Sequence, residues 1–252
     1  MTLEYNIDFI RDKNKKTNIK KAISLLEKAF YTKKFVYSFF LDPMEQKIIS
    51  NIAKNNDIDI KFVGGNEKAE RKIFLVNFNH CLNEDYIRVL IIKDINLEHK
   101  DILGALISLG IDRENIGDIV IDKNCEFVVL EDDYPFIKYN LTKIANKSVK
   151  VEEKKINTLM DKRLEYKINK IFVSSLRIDN LVSSILNLSR KKAKDLIKKK
   201  KIKIDYMIVD DPSYQVEEES LISIRGYGRY IFDQIIGSSK KGNYHIIYKK
   251  VL

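Results

Sequence analysis

The residues whose types and spacing suit them to chemistry are cations, and the chemistry they suit is phosphate recognition rather than bond making. Between Ser189 and Lys203 there are nine Lys or Arg residues and one acid, Asp195. At about 100° per residue, Arg190, Lys191, Lys194 and Lys198 gather within about a 100° arc of a helix, while Ala193, Leu196 and Ile197 share another side. A helix with an almost wholly cationic polar face is built to lie against something anionic. The run Lys198–Lys201 also fits a solvated helix end, where lysines suit the dipole. Its place beside Arg190, Lys191 and Lys194 favours RNA. Downstream, Arg225-Gly226-Tyr227-Gly228-Arg229 sets two arginines beside glycines that let backbone approach a partner closely. The candidate RNA-binding set is Arg177, Arg190, Lys191, Lys194, Lys198, Lys201, Lys203, Arg225 and Arg229.

Other chemistry-bearing residues lack partners. Asp179 reads as an N-cap or as the partner of a nearby base in preference to a catalytic carboxylate. His80-Cys81 is the only His-Cys neighbour pair, and with three His and two Cys in all, neither a metal site nor a cofactor is expected. Gly64-Gly65 marks a hairpin or a close backbone approach, and a plain turn is favoured over a phosphate cradle. Glu67 and Glu70, near Arg71, read as a salt-bridged turn holding that loop. No GxGxxG and no GxxxxGK[ST] is present. Tyr206, Tyr214, Tyr227 and Tyr230 lie among the basic residues, and base stacking and partial burial stand equal for them.

Several elements must position these groups. Ile178, Leu181, Val182, Ile185 and Leu186 form one helical face. Asn187-Leu188 breaks the pattern, and Ser189 is a good N-cap for the cationic helix. Strand character follows at Ile202–Ile204 and Met207–Val209, with Asp205-Tyr206 as the turn, then at Leu221–Ile224. The tail carries Lys240 and Lys241 before a last strand at His245–Tyr248.

Upstream, Asn18–Phe30 suits an amphipathic helix. Asp42-Pro43 starts another that runs through Lys54. Ile58–Val63 and Lys72–Phe78 read as strands. Then come a strand at Tyr86–Lys93, a helix at His99–Leu109, strands at Ile116–Ile121 and Cys125–Leu130, a helix at Asp133–Ala145 and a strand at Ser148–Lys155. That order, β-α-β-β-α-β, is the ferredoxin-like plait. Its third strand, CEFVVLE, lacks the aromatic, glycine-rich signature that stacks bases, so a scaffold or protein-contact role is expected of it.

The fold class is therefore α+β, with an N-terminal mixed α/β domain over 1–80, a ferredoxin-like plait over 84–157 and a connector over 158–173. A C-terminal RNA-binding domain of two helices plus a small β-sheet covers 174–252. A length of 252 residues fits two or three domains. The net charge of +10 is uneven: residues 1–78 carry 15 bases and 10 acids, 79–172 carry 15 and 17, and 173–252 carry 16 and 9. Two basic ends around an acidic middle read as a polyanion footprint. No apolar run approaches the length of a membrane span, and the N-terminus lacks an apolar signal core. Two cysteines without a CxxC pattern fit reduced thiols, and a cytoplasmic, monomeric protein is expected.

At these residues the sequence carries a resemblance. SSLRIDNLVSSILNLSRKKAKDLI, then KIKI, then DDPSYQVEEESLISIRGYGRY is similar to the RNA-binding domain first seen in small-subunit ribosomal protein four, the alpha-L motif. Upstream, FLDPMEQ (Phe40–Gln46), GGNEKAERK (Gly64–Lys72) and HKDILGALISLGIDRENIGDIVI (His99–Ile121) resemble the bacterial YlmH family. The likeness runs from about Phe35 to Tyr230, and three blocks in order make it specific. It implies a non-enzymatic factor on the large ribosomal subunit, contacting ribosomal RNA and/or tRNA. Ribosomal or quality-control proteins are possible further partners, in quality control of stalled peptidyl-tRNA complexes. In related domains the arginine after the serine of the second helix and nearby bases touch RNA. The matching positions are Arg190, Lys191 and Lys194, with Arg177 at the first helix. Two departures stand out: Lys200 replaces the usual glycine after that helix, and Asp205-Tyr206 replaces Asn-Gly in the turn. The alternative is an RNA-modifying enzyme of pseudouridine synthase or methyltransferase type. Against it stand the lack of a Gly-Arg-Leu-Asp segment and of a Gly-rich loop after a first strand.

Overall fold

The structure, a computed structural model, describes residues 3–77, 86–93, 96–155, 158–161, 165–239 and 242–252. His80, Cys81, Asn157, Lys240 and Lys241 lie outside the described residues. The chain divides into two compact units, Met1–Lys162 and Arg163–Leu252. The expected parts 1–80 and 84–157 both fall within the first.

The first unit begins with α1 (Lys13–Thr32), whose first turn is capped by Asp12 accepting from the backbone N–H groups of Asn14 and Lys15. Ile19, Ala22, Ile23, Leu26 and Ala29 face its core. After β1 (Val36–Tyr37), α2 (Pro43–Asn55) opens with a capping box: Asp42 accepts from Glu45 N at 3.0 Å, and Glu45 accepts from Asp42 N at 2.8 Å. Strands β2 (Ile60–Val63) and β3 (Ile73–Val76) complete a small antiparallel sheet in the order β1-β3-β2.

A second sheet is built from β4 (Ile87–Ile92), β5 (Ile116–Ile121), β6 (Cys125–Leu130) and β9 (Glu152–Lys154), with α3 (His99–Ser108) between β4 and β5 and α4 (Tyr134–Asn140) after β6. A two-residue hairpin, β7 (Lys143–Ile144) and β8 (Lys147–Ser148), precedes β9. The order is β5-β6-β4-β9 and every pair is antiparallel. The second helix is shorter than the periodicity predicts. Ala145 and Asn146 both take positive φ, 44° and 66°, and so close the hairpin where helix was expected.

Both faces of this sheet are covered. Leu90, Ile92, Phe127 and Val129 pack with Ile102 and Leu106 of α3 and Ile137 of α4. Ile87, Val89, Val128 and Leu130 pack with Ile73 and Leu75 from the first sheet and with Phe40 from the segment between β1 and α2. A strand buried on both faces reads as a nearly continuous apolar run, which explains CEFVVL at β6. Its one charge, Glu126, is 3% exposed and accepts from Lys154 Nζ at 2.7 Å and Met160 N at 2.8 Å.

The Gly64-Gly65 loop is a close-approach turn. A Cβ on Gly65 would lie 2.5 Å from Val128 Cγ2 and 2.8 Å from Leu159 Cδ2. The following segment is tied down by Asp118, which accepts from the backbone N–H groups of Glu70 (2.6 Å) and Arg71 (3.1 Å). The Arg71 guanidinium donates to the carbonyls of Phe40 and Ile116. Asp118, a residue from another strand, is thus an anchor of this segment.

The second unit holds β10 (Tyr166–Val173), α5 (Ile178–Leu186), α6 (Arg190–Lys198), β11 (Ile202–Ile204), β12 (Met207–Ile208), β13 (Leu221–Ile224), β14 (Gly228–Ser238) and β15 (Tyr244–Val251). They form one antiparallel sheet, β10-β15-β14-β13-β11-β12, with both helices packed on one face. Here the expected connector over 158–173 is corrected. Its second half is an eight-residue strand, paired from Tyr166↔Val251 to Val173↔Tyr244. The partner strand lies far downstream, and β10 is an edge with Ile168 and Phe172 largely exposed, so its own sequence carries little inward pattern.

Candidate nucleic-acid interface

The site is organised around the beginnings of α5 and α6. Helix α5 stops at Asn187, which takes a left-handed conformation (φ 51°), and Ser183 Oγ donates to Leu188 O at 2.7 Å. The turn is short, so α6 starts at once, with Ser189 Oγ accepting from Lys192 N at 3.3 Å. Ile178, Leu181 and Val182 of α5 and Ala193 and Ile197 of α6 are buried against the sheet residues Ile202, Ile204, Ile222 and Ile224. This packing fixes which sides of the helices remain outside.

Asp179 sits at the centre, with its side chain 3% exposed. Its Oδ1 accepts from Arg177 Nε at 3.1 Å and its Oδ2 from Nη2 at 3.2 Å, and Lys194 Nζ approaches Oδ2 at 3.8 Å. This carboxylate, held by a two-point fork, raises the pKa of the Arg177 guanidinium above its ordinary value, so the charge is permanent. Arg190, the first residue of α6, donates through Nη2 to Ser174 Oγ at 3.1 Å. Ser174 Oγ also accepts from Asn180 Nδ2 at 3.2 Å. Arg177 and Lys194 therefore gather at Asp179, and Arg190 at a second polar group built on Ser174 and Asn180, the residue after Asp179. Lys191 and Lys198 are exposed on the same helix and have no ion pair among the described residues.

Beyond α6 the backbone turns sharply. Lys200 N donates to Ile197 O (2.8 Å) and Lys201 N to Leu196 O (3.0 Å), the paired bonds of a Schellman cap. Lys200 takes the left-handed conformation itself, at φ 55°. Lys201 then leads into β11, and its carbonyl accepts from Arg225 N at 2.9 Å, which sets Arg225 beside it. Lys203 faces the other way. Its neighbours Ile202 and Ile204 are buried, and the register Lys203↔Ser223↔Arg229 puts Lys203 and Arg229 on the sheet face opposite the helices. The nine candidate residues do not form one group: five lie at the two helices, Lys201 and Arg225 at the strand ends, and Lys203 and Arg229 on this sheet face.

The tyrosines separate as well. Tyr230 is 4% exposed and belongs to the core, whereas Tyr214 and Tyr227 are 44% and 43% exposed. Tyr206 is half-buried, with its hydroxyl 3.5 Å from Arg229 Nη2. Asp205 and Tyr206 both take positive φ, 46° and 68°, in the turn between β11 and β12. Asp205 side chain accepts from Leu221 N at 2.8 Å, tying the turn to β13.

Against known proteins, the chain is 31% identical over 219 residues to ribosome-associated protein quality control protein P2 of Bacillus subtilis (strain 168), covering 84% of this chain and 85% of that one. The chain belongs to the YlmH family. Residues 89–158 match the family model described as "Putative RNA-binding domain in YlmH", and residues 176–222 match the S4 domain. A solved structure, cell division protein ylmH from Streptococcus pneumoniae, aligns with a TM-score of 0.53 at 17% identity, covering 63% of this chain and 99% of that one. That likeness is one of fold.

In this YlmH-family chain the S4 match begins just before Arg177 and takes in all of α5 and α6. The pattern of charge was visible in the sequence, and so was Asp179 as partner of a base. Ser174 and Asn180 were missed. Asn180 is 7% exposed inside an apolar helix, and a buried amide at such a place was the signal that a hydrogen-bond network stood there. Among the described residues no helix is long and apolar enough to cross a membrane.

Proposed function

We propose that this protein is a non-enzymatic RNA-binding factor of the large ribosomal subunit. In this reading it docks ribosomal RNA and/or tRNA through Arg177, Arg190, Lys191, Lys194, Lys198, Lys201 and Arg225. Lys203 and Arg229 supply a second contact line on the sheet. Its role in this reading is in ribosome-associated quality control of stalled peptidyl-tRNA complexes, and the name of the Bacillus subtilis relative, a ribosome-associated protein quality control protein, supports the quality-control part of it.

The observation that carries the reading is the node at Asp179. Two side chains of α5 and α6 are held by a buried carboxylate, and a third by Ser174, at the surface of a rigid helix pair. A guanidinium offers five N–H donors, and Asp179 takes two of Arg177's, so the group stays fixed while donors remain for phosphate. Nothing in this arrangement activates a nucleophile. Its cations position an anion, and phosphate contacts of this kind orient a protein on RNA.

Co-sedimentation with separated ribosomal subunits tests the proposal. Wild type is expected to travel with the large subunit. A variant with Arg190, Lys191 and Lys194 changed to Glu is expected to stay at the top of the gradient, with its circular dichroism unchanged. Wild type that sediments with neither subunit at moderate salt would refute the ribosomal assignment.

A further inference from the structure

Helix α1 carries a charge pattern that its fold does not need. It has six lysines and one acid, Glu27. Two of the lysines have structural partners: Lys15 Nζ lies 2.6 Å from Asp42, and Lys16 Nζ lies 2.8 Å from Asp8. The other four, Lys13, Lys20, Lys21 and Lys28, are exposed and have no ion pair among the described residues. At about 100° per residue these four share an arc of about 100° with Thr17, Ser24 and Tyr31. No acid lies within that arc. Thr17 and Ser24 turn their hydroxyls back to the carbonyls of Lys13 and Lys20, so they leave the face open.

The arrangement opposes helix stability. The first turn holds Lys13, Lys15 and Lys16 and no acid, the wrong sign for the positive end of a helix dipole. Lys16 and Lys20 are like charges one turn apart, and the face lacks the alternating signs that suit a merely solvated helix. A polyanion lying along the helix relieves both conflicts.

We infer that the exposed face of α1, through Lys13, Lys20, Lys21 and Lys28, is a second binding surface for the RNA phosphate backbone, separate from the α5–α6 node. The inference rests on the reading of the chain as an RNA-binding protein. From Lys13 to Lys28 the face spans about 22 Å at 1.5 Å per residue, enough to follow several phosphates. A membrane is a poor fit. The apolar side of α1 is spent in the core, with Ile19, Ala22, Leu26 and Ala29 at 0% exposure, and a bilayer would find nothing to insert. A protein partner fits less well than RNA. The arc offers lysine point charges and one aromatic at its end, without the central arginine and aromatic anchors of a protein interface.

The test uses the full chain and a labelled RNA hairpin of about 16 base pairs, followed by fluorescence anisotropy across a salt series. Four proteins are compared: wild type, K13Q/K20Q/K21Q/K28Q, R190Q/K191Q/K194Q and the combination. Glutamine keeps helix propensity while removing charge. Each lost phosphate contact flattens the log–log salt slope by roughly 0.7–0.9, so the α1 variant is expected to lose about 3 from the slope and to weaken at least tenfold at moderate salt. The matching quadruple Lys→Arg variant should bind as wild type, which separates charge from fold. Should the glutamine variant melt early, K20Q and K28Q alone are read for slope losses of roughly 0.7–0.9 each. An α1 variant with wild-type affinity and slope, beside a weakened α6 variant, overturns this inference and leaves the proposed function standing. Wild type that fails to bind the hairpin overturns it as well, and sedimentation with large subunits then judges the proposed function separately.

Discussion

Replacing Lys200 by glycine should stabilise the C-terminal unit, even though it removes a charge from the basic run. Lys200 occupies the left-handed position of the α6 cap at φ 55°, and both bonds of the cap run through backbone atoms that glycine keeps. A residue with a Cβ pays about 1–2 kcal/mol in that conformation. Glycine returns about 0.5–1 kcal/mol of this through its greater freedom in the unfolded chain. Among the described residues the Lys200 ammonium is paired with Asp210 at 3.9 Å, with side chains 62% and 37% exposed, and such a pair adds little. The net gain is about 0.5–1 kcal/mol. Hydrogen exchange of the backbone amides from Ile197 to Lys203 reads it locally, as exchange slowed about two- to fivefold, since 1.4 kcal/mol is a factor of ten. Lys200→Ala is the control, because it removes the same charge and keeps the strained backbone. If K200G exchanged no more slowly than K200A, the left-handed backbone would carry no cost and the reasoning would fail.

Three further outcomes follow from the same geometry. Tyr206 stands at φ 68° in the β11–β12 turn, so Tyr206→Gly should raise stability by about 1 kcal/mol in chemical denaturation, whereas Tyr206→Phe keeps the backbone cost and should not. Gly65→Ala should cost about 1–3 kcal/mol in the same assay, because the added methyl meets Val128 and Leu159 at 2.5–2.8 Å in the first unit. Burial and the hydrogen bond to Asp132 push the Tyr37 phenol up to about 12, above its ordinary value of 10.0. The neutral form is thus the one the fold favours. Its contribution is full below pH 10 and is lost as pH rises through 12, and in Tyr37→Phe that alkaline loss and one late-titrating phenolate absorbance should both be missing.

What the sequence disclosed followed from the range of the interactions. Strands β5 and β6 have the expected ends, Ile116–Ile121 and Cys125–Leu130, because both runs are largely apolar, with Asp118 and Glu126 as the charged exceptions. Helix α6 was equally plain, since Ala193 and Ile197 are the residues its core needs and the cations fill the rest. Strand β10 was read as a connector because its pairing is supplied by β15, and no local pattern announces a partner so far along the chain. The α4 region failed for another reason: a tight turn at Ala145-Asn146 overrode a tolerable helical period. In the site, charge type and Asp179 were readable. The contact of Arg190 with Ser174 was not, because it depends on how α5 and α6 lie together.

The site also shows how an electrostatic surface can be both rigid and available. A field of lysines on flexible stems attracts an anion from a distance but must order its side chains on contact. Here Lys191 and Lys198 are of that kind. Arg177 and Arg190 differ, since each is already fixed by a neighbour at 3.1 Å, and part of the ordering cost is met by the fold itself. The cost is instead a buried carboxylate, and a carboxylate in that position is tolerable only while cations stand over it. Asp179 and the cations around it are therefore one unit: the acid holds Arg177 in place and Lys194 near it, and their charge allows the acid to remain buried. A sequence count would enter Asp179 as a subtraction from the basic patch. In the structure it is the residue that gives the patch a shape.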